Sequence, residues 1–361
     1  MQRRVDVKKS GEHCYDILIT QGFEAVIEEL LVLQITGIKL CIVTDSNVGP
    51  IYADTLKQVL ERSKNSVFVY TMPAGEENKN LSVVQDLYAF LIENRFERRD
   101  MLVALGGGVV GDLTGFAAAT YLRGVDFIQV PTSLLAQVDS SIGGKTGVDF
   151  RKYKNMVGAF HMPRLVYINI ETLSTLSPRL FNSGFGEIIK HGLIKDGEYF
   201  RYLDENHASI KALEPETLME TIYRSCCIKA EVVDKDPTEK GERALLNFGH
   251  TLGHAVEKLM NFSLYHGECV ALGMVCASFI SKERGLISMD DYGTIRDMLR
   301  KYGFPSKIEG LDIFSVLETS KSDKKMENGV VKFILLRRVG EAFIDRTVTS
   351  DEMTQGLKEI L

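Results

Sequence analysis

Three of the chain's seven histidines, His250, His254 and His266, fall close together, and with their neighbours they offer the clearest chemistry in the sequence. His250 and His254 sit four residues apart in Asn247-Phe248-Gly249-His250-Thr251-Leu252-Gly253-His254, so on a helix they share one face. Imidazoles placed this way can hold one divalent metal, and His266, in His266-Gly267-Glu268, can reach it from the next element. Arg243 and Asn247 just upstream suit an anionic or hydroxylated small molecule. A solvated helical face, or a hydrogen-bonded pair at a helix start, would give the same spacing. The zinc-peptidase pattern needs Glu directly after the first His, and Thr251 stands there instead.

A second group of residues suits phosphate and nucleotide. Leu105-Gly106-Gly107-Gly108-Val109-Val110-Gly111-Asp112 follows an apolar run and opens a helical one. Glycines there let the backbone approach a diphosphate, and a helix start offers free N–H donors. A tight turn with close helix packing would also need these glycines. Other polar groups end successive apolar runs: Asp45, suited to a ribose hydroxyl; Glu76 and Lys79 in Gly75-Glu76-Glu77-Asn78-Lys79; and Thr132 and Ser133 after Pro131. Their convergence is worth more than any one motif. Gly143-Gly144-Lys145-Thr146 resembles a P-loop, but the first glycine of that pattern is replaced by Asp139, which argues against Walker-type hydrolysis. Lys145 with Asp139 still fits a polar site, although a glycine-flanked lysine is also common in solvated loops.

These groups need elements to carry them. The runs Ile38 to Thr44, Ser66 to Thr71, Met101 to Leu105, Phe127 to Val130 and Leu165 to Ile170 read as buried strands, with helical stretches such as Ile51 to Arg62 and Leu81 to Glu93 between them. That alternation predicts a parallel sheet covered on both faces, with ligands beyond the carboxyl ends of its strands. After Ser177-Pro178 helical periodicity dominates, over Gly186 to Lys195, Pro215 to Val233, His250 to Leu259 and Val270 to Arg284, and Val330 to Leu336 is the one β-like run there. The expected organisation is an α/β domain of the Rossmann type over residues 1–176 and a mainly α-helical metal- and substrate-binding domain over residues 177–361, with the crevice between them as the default active site. A chain of 361 residues with 45% apolar and 25% charged content can build both cores. Its net charge of -6 argues against non-specific nucleic-acid binding. Cys14, Cys41, Cys226, Cys227, Cys269 and Cys276 form no C-x-x-C pair and read as reduced thiols. The start of the chain lacks the apolar core of a signal peptide, and no run reaches the ~18 apolar residues of a membrane span, so a cytoplasmic protein is expected.

From about Asp45 to Val330 the chain resembles the 3-dehydroquinate synthase family of sugar phosphate cyclases. The resemblance rests on GGGVVGDLTGFAAATYLRGV, QVPTSLLAQVDSSIGGKTGVD, KNMVGAF, GFGEIIKHG, LNFGHTLGHAVE and HGECVALGM taken together. It implies one NAD and one Zn2+, replaceable by Co2+, with Glu187, His250 and His266 as the metal ligands. It implies NAD along Asp45, Asn47, Glu76, Lys79, Gly106, Gly107, Gly108, Asp112, Thr132, Ser133, Lys145, Lys154 and Thr172 to Thr175. Substrate is implied at Asp139, Lys145, Asn155, Lys190, Lys229, Arg243, Asn247, His254 and one of Lys324 and Lys325. A homodimer is implied as well, with Arg123 reaching the neighbouring subunit's site. Glu187, Lys190 and His191 share a helical face by spacing, which makes His191 the competitor for a ligand role, and the family pattern favours His266. The nearby Glu231 and Asp236 offer Lys229 and Arg243 ordinary surface ion pairs as an alternative. His161 and Ser177 stand where the family often has an aromatic residue and a proline; packing is expected at the first.

The activity so implied is an NAD- and zinc-dependent lyase reaction of the shikimate pathway, feeding aromatic amino acid and chorismate biosynthesis. It converts 3-deoxy-D-arabino-heptulosonate 7-phosphate to 3-dehydroquinate and phosphate by transient oxidation, phosphate elimination, reduction and aldol closure. His254 is the expected proton carrier, Lys145, Asn155, Asn247 and the Lys324-Lys325 pair the phosphate ligands, and Lys229 with Arg243 the carboxylate ligands. Alternatives are another sugar phosphate cyclase, a metal-dependent polyol or glycerol phosphate dehydrogenase, and a catalytically silent NAD-binding protein.

Overall fold

The computed structural model describes residues 2–151, 153–237, 241–261, 263–321, 326–327 and 330–361. The chain divides into two compact units, Met1–Leu176 with Leu218–Asp234, and Ser177–Thr217 with Lys235–Leu361.

The first unit carries β1 (Gln2–Lys9), β2 (Glu12–Thr20), α1 (Val26–Val32), β3 (Lys39–Asp45), α2 (Gly49–Glu61), β4 (Ser66–Met72), α3 (Leu81–Glu93), β5 (Met101–Gly106), α4 (Gly108–Thr120), β6 (Asp126–Pro131), β7 (Lys145–Phe150), β8 (Tyr153–Phe160) and β9 (Leu165–Asn169). Among the described residues, one sheet runs in the order β1-β2-β9-β6-β5-β3-β4. Its pairings are parallel except β1 against β2. Successive side chains in a strand point to opposite faces, and here both faces are dry. Leu40 and Ile42 of β3 pack on one side with Val26 and Leu30 of α1 and Leu56 and Leu60 of α2. Cys41 and Val43 pack on the other with Leu87 and Leu91 of α3 and Leu113 and Ala117 of α4. This two-sided burial produces the near-continuous apolar runs of the sequence, and truncating a central residue such as Ile42 to Ala would cost roughly 2–5 kcal/mol.

Two hairpins depart from the expected pattern. In β1 only Val5 and Val7 are buried, and charged residues fill most other positions, so no apolar run announces it. The β7–β8 hairpin starts at Lys145, in a stretch where the sequence reading places no strand. α3 starts on Asn80, whose side chain accepts from the N–H groups of Ser82 (2.9 Å) and Val83 (3.1 Å).

The second unit carries α5 (Pro178–Lys195), α6 (Gly197–Glu205), α7 (His207–Lys211), α8 (Pro215–Lys235), α9 (His250–Leu259), α10 (His266–Glu283), α11 (Met289–Lys301), α12 (Ile313–Lys321), β10 (Met326–Glu327), β11 (Val330–Val331), β12 (Phe333–Arg338), β13 (Glu341–Asp345) and α13 (Ser350–Leu357), except that Leu218–Asp234 of α8 counts with the first unit. The β-like run after Val330 is thus two short strands, and β12 pairs with β13 as a second hairpin. Ser177 begins α5 by accepting the Leu180 N–H (3.3 Å), with Pro178 in the first turn. α10 is buried almost throughout because α5, α9, α11, α13 and β12 all pack on it, which is why it lacks a polar stripe. Glycines let these backbones meet: a Cβ on Gly267 would stand 1.9 Å from the Ser183 carbonyl oxygen of α5, and one on Gly273 would stand 1.8 Å from that of Gly249 before α9. Gly249 itself takes φ of 80°, a left-handed turn that glycine adopts without strain. No helix among the described residues is long and apolar enough to cross a membrane.

Candidate active site

The close packing of α5, α9 and α10 brings one carboxylate and three imidazoles together. His250 is the first residue of α9, His266 the first residue of α10, and Glu187 projects from α5. Glu187 Oε1 lies 3.6 Å from Nε2 of His250 and 3.6 Å from Nε2 of His266. Two ligand atoms on a tetrahedral zinc, each about 2.0–2.1 Å from it, are separated by about 3.4 Å. His254 joins the group: one ring nitrogen from each of His250, His254 and His266 lies within 4.8 Å of the others. His191, on α5, is fully buried and lies outside that histidine group, but with Glu187 it belongs to a second set of groups able to hold a metal.

The electrostatics favour a positive charge at this point. Burial disfavours a charged His266, but its contacts with Glu187 and Glu257 outweigh burial and raise its pKa to about 9. Glu187 and Lys190 are each 1% exposed, and Lys190 donates to Glu187 Oε2. Interior charges cost several kcal/mol each unless partners offset the lost hydration, so a buried pair beside histidines is hard to explain as scaffolding. The donor set, its spacing and its charge all fit a divalent cation.

The ligand-bearing turns are held from several sides. Gly267 N–H donates to Ser183 Oγ (3.1 Å). Arg179 forms a two-pronged pair with Glu268, both contacts 2.7 Å, and its guanidinium lies 4.4 Å from the Tyr265 ring centroid. Arg243 is 2% exposed; Asp236 accepts its backbone N–H (3.1 Å), and its Nη1 donates to the Pro237 carbonyl (2.9 Å). Asn247 ends the same short turn.

In the first unit the residues read as nucleotide-binding gather at strand ends. Gly106 closes β5, Gly107 precedes α4 without any side-chain cap, and Gly108 begins the helix. A Cβ on Gly106 would stand 2.6 Å from Val110, and one on Gly108 would stand 3.0 Å from Ser140 Oγ. The bare turn and uncapped helix start fit the phosphates of a dinucleotide. Thr132 N–H donates to Gly106 O (2.9 Å), tying the β6 end, with Ser133, to that turn. Asp45 Oδ1 accepts from the N–H groups of Asn47 (2.8 Å) and Val48 (2.9 Å), which fixes its rotamer at the end of β3. Thr172 is buried, and its hydroxyl accepts from Gln137 (3.2 Å); Thr175 Oγ1 meets the Tyr52 hydroxyl at 2.7 Å.

Lys79 is nearly buried and donates to Asp112 (2.6 Å) and to Asn155 Oδ1 (2.7 Å). Burial pulls its pKa down, but Asp112 and Glu76 outweigh that and hold it above the ordinary lysine value, so it stays charged. Glu76 lies 3.7 Å from Lys154. Lys229 donates to the backbone oxygen and Oδ1 of Asp139, both at 2.5 Å. Lys145 is exposed at the start of β7, and Arg123 is exposed with φ of 72°. His161 stacks on Phe127 with ring centroids 5.3 Å apart and contacts the Val125 carbonyl at 2.9 Å, a packing role. Lys324 and Lys325 lie outside the described residues.

One contributor was missed. Glu257 contacts His266 Nδ1 at 3.1 Å. Its signal was present in LNFGHTLGHAVE, since Glu257 is three residues beyond His254 and shares its helical face.

Comparison with known proteins agrees with this geometry. Residues 69–183 match the family described as 3-dehydroquinate synthase N-terminal, and residues 184–326 the family described as 3-dehydroquinate synthase C-terminal. A 3-dehydroquinate synthase of Acetivibrio thermocellus is 43% identical over 343 residues, covering 95% of each chain. Among solved structures, the 2-epi-5-epi-valiolone synthase ValA of Streptomyces hygroscopicus subsp. jinggangensis 5008, with NAD+ and Zn2+ bound, superposes with a TM-score of 0.88 at 27% identity, covering 98% of both chains. A 2-deoxy-scyllo-inosose synthase complexed with carbaglucose-6-phosphate, NAD+ and Co2+ also gives 0.88, at 26% identity over 99% of this chain and all of that one (100%).

Proposed function

The chain belongs to the 3-dehydroquinate synthase family, and from that premise we propose how its residues convert 3-deoxy-D-arabino-heptulosonate 7-phosphate to 3-dehydroquinate and phosphate. The observation that carries the reading is Glu187 Oε1 at 3.6 Å from Nε2 of both His250 and His266. These three residues hold the metal, and Gly106 to Gly108, Asp45, Asn47, Glu76, Lys79, Asp112, Thr132, Ser133, Lys154, Thr172 and Thr175 form the dinucleotide site. When bound, the metal supplies a Lewis acid for an alcohol, and the nicotinamide supplies a reversible hydride acceptor.

The chain's own residues do the rest. Arg243 presents a planar fork to the substrate carboxylate, and Lys229, oriented by Asp139, adds a second cation. Lys145, Asn155 and Asn247, with one of Lys324 and Lys325, hold the phosphate that leaves. His254 accepts the alcohol proton and later returns it, a task suited to an imidazole, which can both take and give a proton. Lys190 holds the second oxygen of Glu187, leaving Oε1 turned to the histidines. Fixing a flexible open sugar in one conformation removes much of the entropic barrier to ring closure.

We also propose a homodimer that works in the cytoplasm. β8 leaves Tyr153, Met156 and Phe160 exposed, and Leu122 beside Arg123 is exposed too, an apolar surface suited to a second copy. The six free cysteines fit a reducing compartment. The test of the activity is to supply the heptulosonate phosphate, NAD+ and Zn2+, and to follow phosphate and NADH. Phosphate release without net NADH is expected; net NADH would mean a dehydrogenase. Turnover of glucose 6-phosphate or sedoheptulose 7-phosphate in place of the heptulosonate would mean a different cyclase.

A further inference from the structure

Both proposed histidine ligands have their other ring nitrogen occupied. His250 Nδ1 lies 3.2 Å from the Phe248 carbonyl oxygen, and His266 Nδ1 lies 3.1 Å from Glu257 Oε2. A carbonyl oxygen and a carboxylate oxygen accept, so each Nδ1 donates, which leaves Nε2 as the ring atom free to give up its proton to a metal. Those two Nε2 atoms are the ones that face Glu187 Oε1. Glu257 is only 8% exposed, and an interior carboxylate needs a specific partner to offset its lost hydration. It sits on α9, the helix that also carries His250 and His254, so one helix presents ligands and reaches across to orient the ligand of α10.

Resting on the reading of Glu187, His250 and His266 as metal ligands, we propose that Glu257 is the positioning residue that fixes the tautomer and ring plane of His266. In this role Glu257 is a ligand of neither substrate nor metal. It acts through imidazole, by holding the Nδ1 proton and strengthening Nε2 as a donor. Ser183 and the Arg179–Glu268 pair hold the backbone of this turn, and Glu257 holds the Nδ1 side of the ring.

The test uses the full-length chain stripped with a chelator and titrated with Co2+, whose absorption bands report coordination, with Zn2+ affinity measured by competition. Glu257→Ala is expected to weaken metal binding by about 10- to 100-fold. Glu257→Gln, whose amide oxygen still accepts from Nδ1–H, is expected to recover most of that loss. His250→Ala is the control for the site itself: if it leaves Co2+ binding unchanged, the metal assignment fails, whereas loss in His250→Ala with none in Glu257→Ala overturns only the role of Glu257. Equal loss in the Ala and Gln variants, accompanied by equal loss of thermal stability without metal, also overturns it. Nitrogen-15 histidine spectra of the Zn2+-loaded unaltered chain read the tautomer directly, whether or not the variants fold. A protonated Nδ1 on His266 is expected, and a metal-bound Nδ1 refutes the proposal.

Discussion

Replacing Gly267 with alanine tests whether backbone packing sets the metal site. The added Cβ would stand 1.9 Å from the Ser183 carbonyl oxygen, 2.7 Å from its carbonyl carbon and 2.8 Å from its Cα. Ordinary carbon–oxygen contact needs roughly 3.4 Å, so α5 and α10 must separate by about 1.5 Å at this point. Neither neighbour can yield locally, because the clash is with main chain. Overpacking of this kind costs about 1–3 kcal/mol or more. The same movement carries His266, the adjacent residue, away from Glu187. Active sites tolerate about 0.5 Å of misplacement, and 1 Å can cost about 100-fold in rate. Gly267→Ala is therefore expected to lower phosphate release by about 100-fold or more and to weaken Co2+ binding, with NAD binding kept. Gly293→Ala is the comparison, since a Cβ there meets nothing within 4 Å and α11 should gain roughly 0.5–1 kcal/mol. Thermal melts, Co2+ titration and phosphate release measured on both variants decide the matter. Unchanged metal affinity and turnover in Gly267→Ala would refute the claim that this contact sets the site.

Glu187→Gln and His250→Ala should each abolish phosphate release while circular dichroism still reports a folded chain; near-normal turnover in either would reject the metal assignment. Arg243→Lys should raise KM for the carboxylate substrate by about tenfold or more, since a charge-assisted hydrogen bond contributes about 1.5–3 kcal/mol, and leave the NAD Kd unaltered; equal loss of both would indicate misfolding. Hydrogen bonding to Arg284 (2.6 and 2.8 Å), against the opposing effect of burial, lowers the Glu352 pKa from 4.5 to about 2. A lowered carboxylate stabilises the folded state fully above pH 4.5 and loses that contribution as pH falls toward 2. Solvent reaches this pair, so it contributes about 0.2–1 kcal/mol, and urea melts of Arg284→Ala should show lower stability at pH 7 and a shallower decline over the acid range. An unchanged acid profile would remove this pair from the account.

The parallel strands were legible because burial on both faces leaves apolar runs such as Leu40 to Val43 with little polar interruption. β1 was not, because an edge strand needs only Val5 and Val7 inside and can carry charge elsewhere. Helical periodicity marked α8 but could not say what it packs against, and Leu218–Asp234 counts with the sheet-bearing unit. Local spacing picked out His250 and His254, and the family resemblance supplied Glu187. Partnerships between distant residues were the illegible part: Lys229 with Asp139 spans 90 positions, and Lys79 reaches Asn155 across 76. Such pairs follow from tertiary closure, which no local pattern encodes.

His250 and His266 each open a helix, and that placement has an electrostatic consequence. Every helix start carries roughly half a positive charge from its aligned peptide units, so two starts together add about one. Lys190 adds another, and the carboxylates of Glu187 and Glu257 cancel both. His266, held protonated by Glu187 and Glu257, leaves the metal-free cluster about one unit positive, and a dication taking its Nε2 would displace that proton. Metal and proton thus compete for one nitrogen, so metal affinity is expected to rise with pH as His266 loses its proton.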